Sequence, residues 1–113
     1  MADFDNPEDK KLVTLARATR QRARAAEGAA IRDLDGRTYA AATVDLPSLQ
    51  VSAVGAAIAM AVASGARGLE SVVVLTELGL AETDLAAIRD FAGGDTPVHR
   101  GTPAGNIEET FAF

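Results

Sequence analysis

One histidine, His99, and no cysteine are found among 113 residues. This excludes disulfides, thiolate zinc centres, iron–sulfur clusters, cysteine nucleophiles and any site built on two imidazoles. No GxGxxG or GxxxxGK[ST] phosphate loop occurs, and no serine sits in a GxSxG elbow. Asp33-Leu34-Asp35-Gly36 begins like a calcium loop, but the further acidic ligands and the closing Glu are missing at the required spacing. It reads as a turn. His99, in the short segment Thr96-Pro97-Val98-His99, reads as an ordinary strand residue. Lys10, Lys11, Arg17, Arg20, Arg22 and Arg24 fall in a stretch without acids, in a chain whose net charge is −5. Arg17, Arg20 and Arg24 lie at i, i+3 and i+7. They form either a docking stripe for phosphate or an acidic protein partner, or a solvated helix face. Overall acidity and an aromatic content of 4% weigh against nucleic acid as a partner, because base-stacking platforms need aromatics on a basic surface.

The elements that must position these residues are set by local signals. Asn6-Pro7-Glu8-Asp9 is a helix start: a capping Asn, Pro in the first turn, acids at the positive end of the dipole. The helix runs from Pro7 to about Ala25, with Leu12, Leu15, Ala16 and Thr19 at helical spacing. Gly28 to Asp33 reads as a strand, Asp33 to Gly36 as a tight turn, and Arg37 to Val44 as the returning strand. Pro47-Ser48 is expected to open a second helix, with Ser48 as cap and Gly65 as its end. Its stripe is Val51, Val54, Ile58, Ala61, Val62 and Gly65, and the alanines around it imply burial on nearly all sides, in the fold or at a subunit contact. Ser71 to Thr76 is a continuous apolar run, expected as a central strand. A third helix, capped by Thr83, spans Thr83 to Phe91 and stops at Gly93-Gly94. Thr96 to His99 and Ile107 to Phe113 read as the last strands.

The length suits one domain, 1–113, with residues 1–6 expected to be flexible. The order α-β-β-α-β-α-β-β predicts an α/β fold, a three-layer α-β-α sandwich around a five-stranded mixed sheet. Leu46 to Ala66 carries no charge. Its serines, glycines and many alanines read as a buried small-residue helix and not as a membrane span. Met1-Ala-Asp-Phe-Asp-Asn-Pro lacks the basic and apolar regions of a signal peptide, so the expected location is cytoplasmic.

Three segments resemble the small zinc-dependent cytidine deaminases. They are Gly28-Ala-Ala-Ile-Arg-Asp-Leu-Asp-Gly-Arg-Thr38, Val51-Ser-Ala-Val-Gly-Ala-Ala-Ile-Ala-Met-Ala-Val-Ala-Ser-Gly65 and Glu70-Ser-Val-Val-Val-Leu-Thr76. The resemblance covers residues 10–113, including the terminal Ala112-Phe113, and implies the fold just predicted. Family members carry a zinc ligand at the start of the second helix, a proton-shuttling Glu two residues later, and a P-C-x-x-C pair opening the third. The metal lowers the pKa of its water and the Glu moves protons. Here those positions fall on Ser52, Val54, Ala81 and Asp84. The ribose-holding Asn-x-Glu aligns with Thr43-Val44-Asp45, and the aromatic-bearing segment before the first strand with Arg22 to Glu27.

The resemblance therefore implies a deaminase scaffold without zinc, cofactor or catalytic residues, an assembly or binding module. Because the family forms tetramers with these helices near the contacts, the expected state is a homo-oligomer, dimer or tetramer. An alternative is a zinc-independent nucleoside or nucleotide sensor, in which Thr43, Asp45, Ser48, Ser52 and Asp84 converge at the two helix N-termini. The same residues also read as plain caps and turn formers. A hydrolytic set of Asp45, Asp84 and His99 has no spacing to support it.

Overall fold

A computed structural model of the chain describes residues 4–112. Helix α1 (Pro7–Ala23) begins as its sequence dictates: the Asn6 side chain accepts from the Glu8 and Asp9 amides. The helix stops at Arg24, which closes it in the left-handed region at φ 53°. Arg24 therefore leaves the helical face that its spacing from Arg17 and Arg20 implied. Arg17 reaches the Ala104 carbonyl and Arg20 the Ala26 carbonyl, both at 3.4 Å, so the supposed stripe is partly spent on holding the helix to neighbouring loops. Of the stretch expected to be flexible, residues 1–3 lie outside the described residues. Phe4 packs edge-on against His99 with ring centres 4.8 Å apart.

Strands β1 (Gly28–Asp33) and β2 (Thr38–Ala42) pair antiparallel from Gly28↔Ala42 to Arg32↔Thr38. Gly36, at φ 85°, supplies the turn conformation that an L side chain resists. Gly28 has a different reason: a Cβ there would lie 2.4 Å from the Ala16 carbonyl oxygen. Its absence lets α1 pack directly on the strand.

The next segment departs from the sequence reading. The returning strand ends at Ala42, and Val44 opens a separate antiparallel hairpin, β3 (Val44–Leu46) with β4 (Leu49–Val51). Pro47-Ser48 is the turn of that hairpin and not a helix start. Both roles suit a Pro-Ser pair, and Val51 fits a helical stripe by spacing alone. Helix α2 (Ala53–Ala63) starts four residues later than expected, with Ser52 and not Ser48 as its cap; the Ser52 Oγ accepts from the Gly55 amide at 2.9 Å. It is not buried on all sides. Ala53, Val54, Ala57, Ile58 and Ala61 face inward, whereas Met60 and Val62 are exposed.

Strand β5 (Leu69–Leu75) is central, antiparallel to β1 and parallel to β6 (Pro97–Gly101). Helix α3 (Glu82–Ala92) has Ala81 at its N-cap, with no side-chain cap bond, and ends at Gly93 in the left-handed region. Thr83, expected as the cap, lies inside the first turn. Strand β7 (Ile107–Ala112) closes the edge, antiparallel to β6.

The five-stranded sheet runs β2-β1-β5-β6-β7 and is mixed, as predicted. Alternation along β1 and β5 divides the core in two. Ala30, Val73 and Leu75 meet Leu12, Val13 and Ala16 of α1. Ala29, Ile31, Val72 and Val74 meet α2 and Ile88 of α3. The layers are therefore α1, sheet, and α2 with α3. Among the described residues, no helix is long and apolar enough to cross a membrane.

Candidate functional site at the N-termini of two helices

Of the residues expected to converge at the two helix N-termini, Thr43, Asp45, Ser52 and Asp84 gather at one end of the α2/α3 layer, and Ser48 does not. Ser52 caps α2 and its hydroxyl donates to Asp84 Oδ1 in the first turn of α3, at 2.6 Å. Thr43 bridges the end of β2 to the start of β1: its Oγ1 accepts from the Glu27 amide at 3.0 Å, and its own amide donates to the Glu27 carbonyl at 3.1 Å. Thr43, Asp45 and Ser52 line an open cavity of about 350 Å³ together with Glu27, Val44, Gln50 and Val51. Ser48 does not take part. It is exposed in the β3–β4 turn and does not line the cavity. Asp84 stands behind the wall, in contact through Ser52.

Glu27 and Gln50 were not legible as site residues. Glu27 also lines a neighbouring depression of about 480 Å³ with Arg20, Ala26, Thr76, Glu77 and Leu78, and Thr76 Oγ1 donates to its carboxylate at 2.9 Å. An acid directly before the small-residue strand Gly28-Ala-Ala was the available signal. Gln50 gave none, because its position depends on a hairpin whose sequence reads as a helix.

Val54, where the resemblance places the proton-shuttling acid, is 1% exposed within the α2/α3 core. Ala81, one of the positions given to a cysteine ligand, offers only a methyl group. A zinc centre needs three protein donors, thiolate, imidazole or carboxylate. Here one carboxylate, one neutral hydroxyl and a methyl occupy the three positions, and the carboxylate and hydroxyl are bonded to each other. Among the described residues, no three His, Asp or Glu side chains stand close enough to share a metal ion. The residues at these positions do not fit zinc.

His99 lies on the other face of the sheet. Its Nε2 is 3.0 Å from Asp9 Oδ2 and its Nδ1 2.9 Å from Thr110 Oγ1. Asp9 Oδ1 accepts from Arg32 Nη2 at 2.9 Å, and Arg32 Nε donates to Glu70 at 2.7 Å. Burial works against the Arg32 charge, but the hydrogen bonds to Glu70 and Asp9 outweigh it and raise the guanidinium pKa above its ordinary value. With His99 under α1, no set of Asp45, Asp84 and His99 can form.

The chain is a three-layer α/β/α fold with a candidate site where the N-termini of α2 and α3 meet. The chain belongs to the cytidine deaminase-like family, whose family model matches residues 5–105. Solved cytidine deaminases share the fold at low identity. The enzyme from Mycobacterium leprae is 21% identical with a TM-score of 0.74, over 96% of this chain and 94% of that one. The enzyme from Burkholderia pseudomallei is 19% identical with a TM-score of 0.78, over 90% of each chain. The one from Bacillus anthracis is 18% identical with a TM-score of 0.70, over 95% and 84%. No curated protein matches the sequence.

Proposed function

We propose that this protein is a cytidine-deaminase-fold protein that does not deaminate and acts as a homo-oligomeric binding or assembly module. The observation that carries this reading is the direct Ser52–Asp84 hydrogen bond at the positions the resemblance gives to metal ligands. Val54 at the acid position supports it, because a buried isopropyl group cannot transfer a proton. The assembly half rests on exposed apolar side chains: Met60 and Val62 on α2, and the cross-strand neighbours Leu46 and Leu49 on the β3–β4 hairpin at 55% and 53%. All four belong to a stretch with no charge between Leu46 and Ala66, which suits a self-complementary contact between copies, dimer or tetramer.

Two measurements test the halves. Cytidine absorbance with zinc supplied is expected to show no deamination above the uncatalysed background, and turnover that depends on zinc overturns the reading. Sedimentation at micromolar concentration is expected to give a dimer or tetramer, and a monomer removes the assembly role.

The cavity favours a second reading, a zinc-independent nucleoside sensor. Thr43, Asp45, Gln50 and Glu27 supply hydrogen bonds suited to hydroxyl or amino groups. With two carboxylates in its lining, the cavity favours neutral nucleosides over phosphorylated ones. A zinc-independent rise in melting temperature with cytidine, uridine or deoxycytidine, larger than with CMP, supports it. A flat panel leaves the assembly reading alone.

A further inference from the structure

Helices α2 and α3 come together at their N-termini, and the side chains joining them there are Ser52 and Asp84. We infer that this pair is a metal-free clamp, doing the structural work of the ion that the family resemblance places between the same two helix ends. The inference rests on the reading that the chain holds no zinc. It concerns what took the metal's place, not whether the protein is an enzyme.

The hydrogen bonds run in series. The Gly55 amide donates to Ser52 Oγ at 2.9 Å, and the Ser52 hydroxyl directs its own proton toward Asp84 Oδ1 at 2.6 Å. One hydroxyl thus closes the first turn of α2 and ties it to α3. On the α3 side, Ala81 leaves the helix without a side-chain cap. Asp84 lies in that first turn, where a negative charge is favoured by the helix dipole, and it links the turn to α2. Both residues are partly shielded from solvent, so water competes poorly for the bond. Ser52 also lines the cavity. The clamp therefore sets one wall of the candidate site as well as the spacing of the helices.

A double-mutant cycle tests the link. Asp84→Ala removes the clamp and leaves the cap, whereas Ser52→Ala removes both. Asp84→Ala is expected to lower the melting temperature by about 5 °C and Ser52→Ala by more. The double variant should fall no further than Ser52→Ala. Additive losses mean that the two side chains do not act together and overturn the clamp. Asp84→Asn keeps an acceptor and should retain most of the stability; a loss equal to that of Asp84→Ala also counts against the clamp.

A second variant tests the geometry. Ser52→Cys/Ala81→Cys/Asp84→Cys places thiols on both helix ends. Added Co²⁺ is expected to give thiolate-to-metal absorption, and Zn²⁺ to restore the melting temperature in a way that a chelator reverses. A folded triple variant that takes up no Co²⁺ shows that the helix ends are not set at metal-site spacing, and sinks the inference. If the triple variant does not fold without metal, the mutant cycle decides alone. Deamination by the unmodified protein would refute the proposed function, whereas additivity in the cycle would refute the clamp, so the two failures are separable.

Discussion

The two faces of the one sheet bury different things. Under α1 lies a polar network built on the Asp9–Arg32 ion pair and His99, each less than a tenth exposed, with six buried apolar residues on the same face. Under α2 and α3 the buried cluster is apolar throughout, with alanine, valine and isoleucine predominating. The cluster that looks most like catalytic chemistry is thus on the face away from the family's site. Its groups are committed to each other: Asp9 uses one oxygen for Arg32 and the other for His99. The α2/α3 face keeps its polar groups apart from the apolar cluster, among them Asp33 at the end of β1 and the Ser52–Asp84 pair. Buried contacts of Asp9 with Arg32 and His99 tie α1 to the sheet, whereas α2 and α3 are seated on it mainly through apolar side chains.

The largest effect that tests this contrast is expected at Asp9. Asp9→Ala leaves Arg32 buried with only Glu70 and leaves His99 Nε2 without its acceptor. Breaking a buried ionic pair from one side costs about 3–5 kcal/mol, so urea denaturation should show a loss of that order. A loss below about 1 kcal/mol would mean that water reaches the cluster and that α1 is held by Leu12, Val13 and Ala16 alone. Replacing the pair by apolar groups, Asp9→Leu with Arg32→Met, should be far milder than the single change, because no charge is then stranded.

The converse substitution puts a charge into the apolar cluster under α2 and α3. Val54→Glu supplies the acid that the resemblance implies at that position but buries a carboxyl among Ala57, Ile58 and their neighbours. About 3 kcal/mol is expected at neutral pH. Burial raises the folded-state pKa of this acid above its unfolded value. The variant should therefore be least perturbed below the ordinary carboxylate pKa, and should lose stability as pH rises from there through the raised value. A pH-independent loss would show that the new side chain has swung out to the cavity, and the face would then be less closed than its packing indicates.

How far these features were legible depends on the range of the interaction. The hairpin from Gly28 to Ala42 and the cap at Asn6 were legible because their determinants lie within a few residues. Pro47-Ser48 is ambiguous by itself because one local signal serves both turns and helix starts, and only the pairing of β3 with β4 decides between them. Ser52 and Asp84 were named from the resemblance, but their bond joins two helices and no spacing announces it. The Asp9–His99 contact spans ninety positions. A lone histidine in a strand gives no hint of its partner, so the chemistry under α1 could not be read.

At the end of β1, buried beside Tyr39 on the α2/α3 side, Asp33 shows how a charge is kept without a counter-ion network of the α1 kind. Burial opposes its ionisation, but the Tyr39 hydroxyl at 2.7 Å and the amides of Arg37 and Asp35 outweigh this and hold the carboxyl below its ordinary range. A depressed folded-state pKa contributes stability that is present above the unfolded value and is lost as pH falls through the folded one. Asp33→Ala should cost about 2 kcal/mol at neutral pH. The gap between it and the parent should narrow in acid below the ordinary carboxylate range. A gap that stays constant to the lowest pH would place the stabilisation in the turn geometry instead.

The smallest effect on folding is expected where the apolar face turns outward. Met60 and Val62 are 43% and 53% exposed, so Met60→Lys with Val62→Lys removes little buried area and should change monomer stability by less than about 0.5 kcal/mol. The same pair should abolish self-association if the uncharged surface is the contact, because two like charges would then be desolvated against their copies. Sedimentation across a concentration series separates the outcomes. Dissociation with unchanged secondary structure assigns the outer face of α2 to assembly. Persistent oligomers would move the contact elsewhere and leave Met60 and Val62 as ordinary exposed side chains. Loss of folding in the monomer would mean that α2 depends on its partner copy for stability. The contrast between the two faces would then hold only for the assembled protein, with the α2 face completed between chains and the α1 face within one.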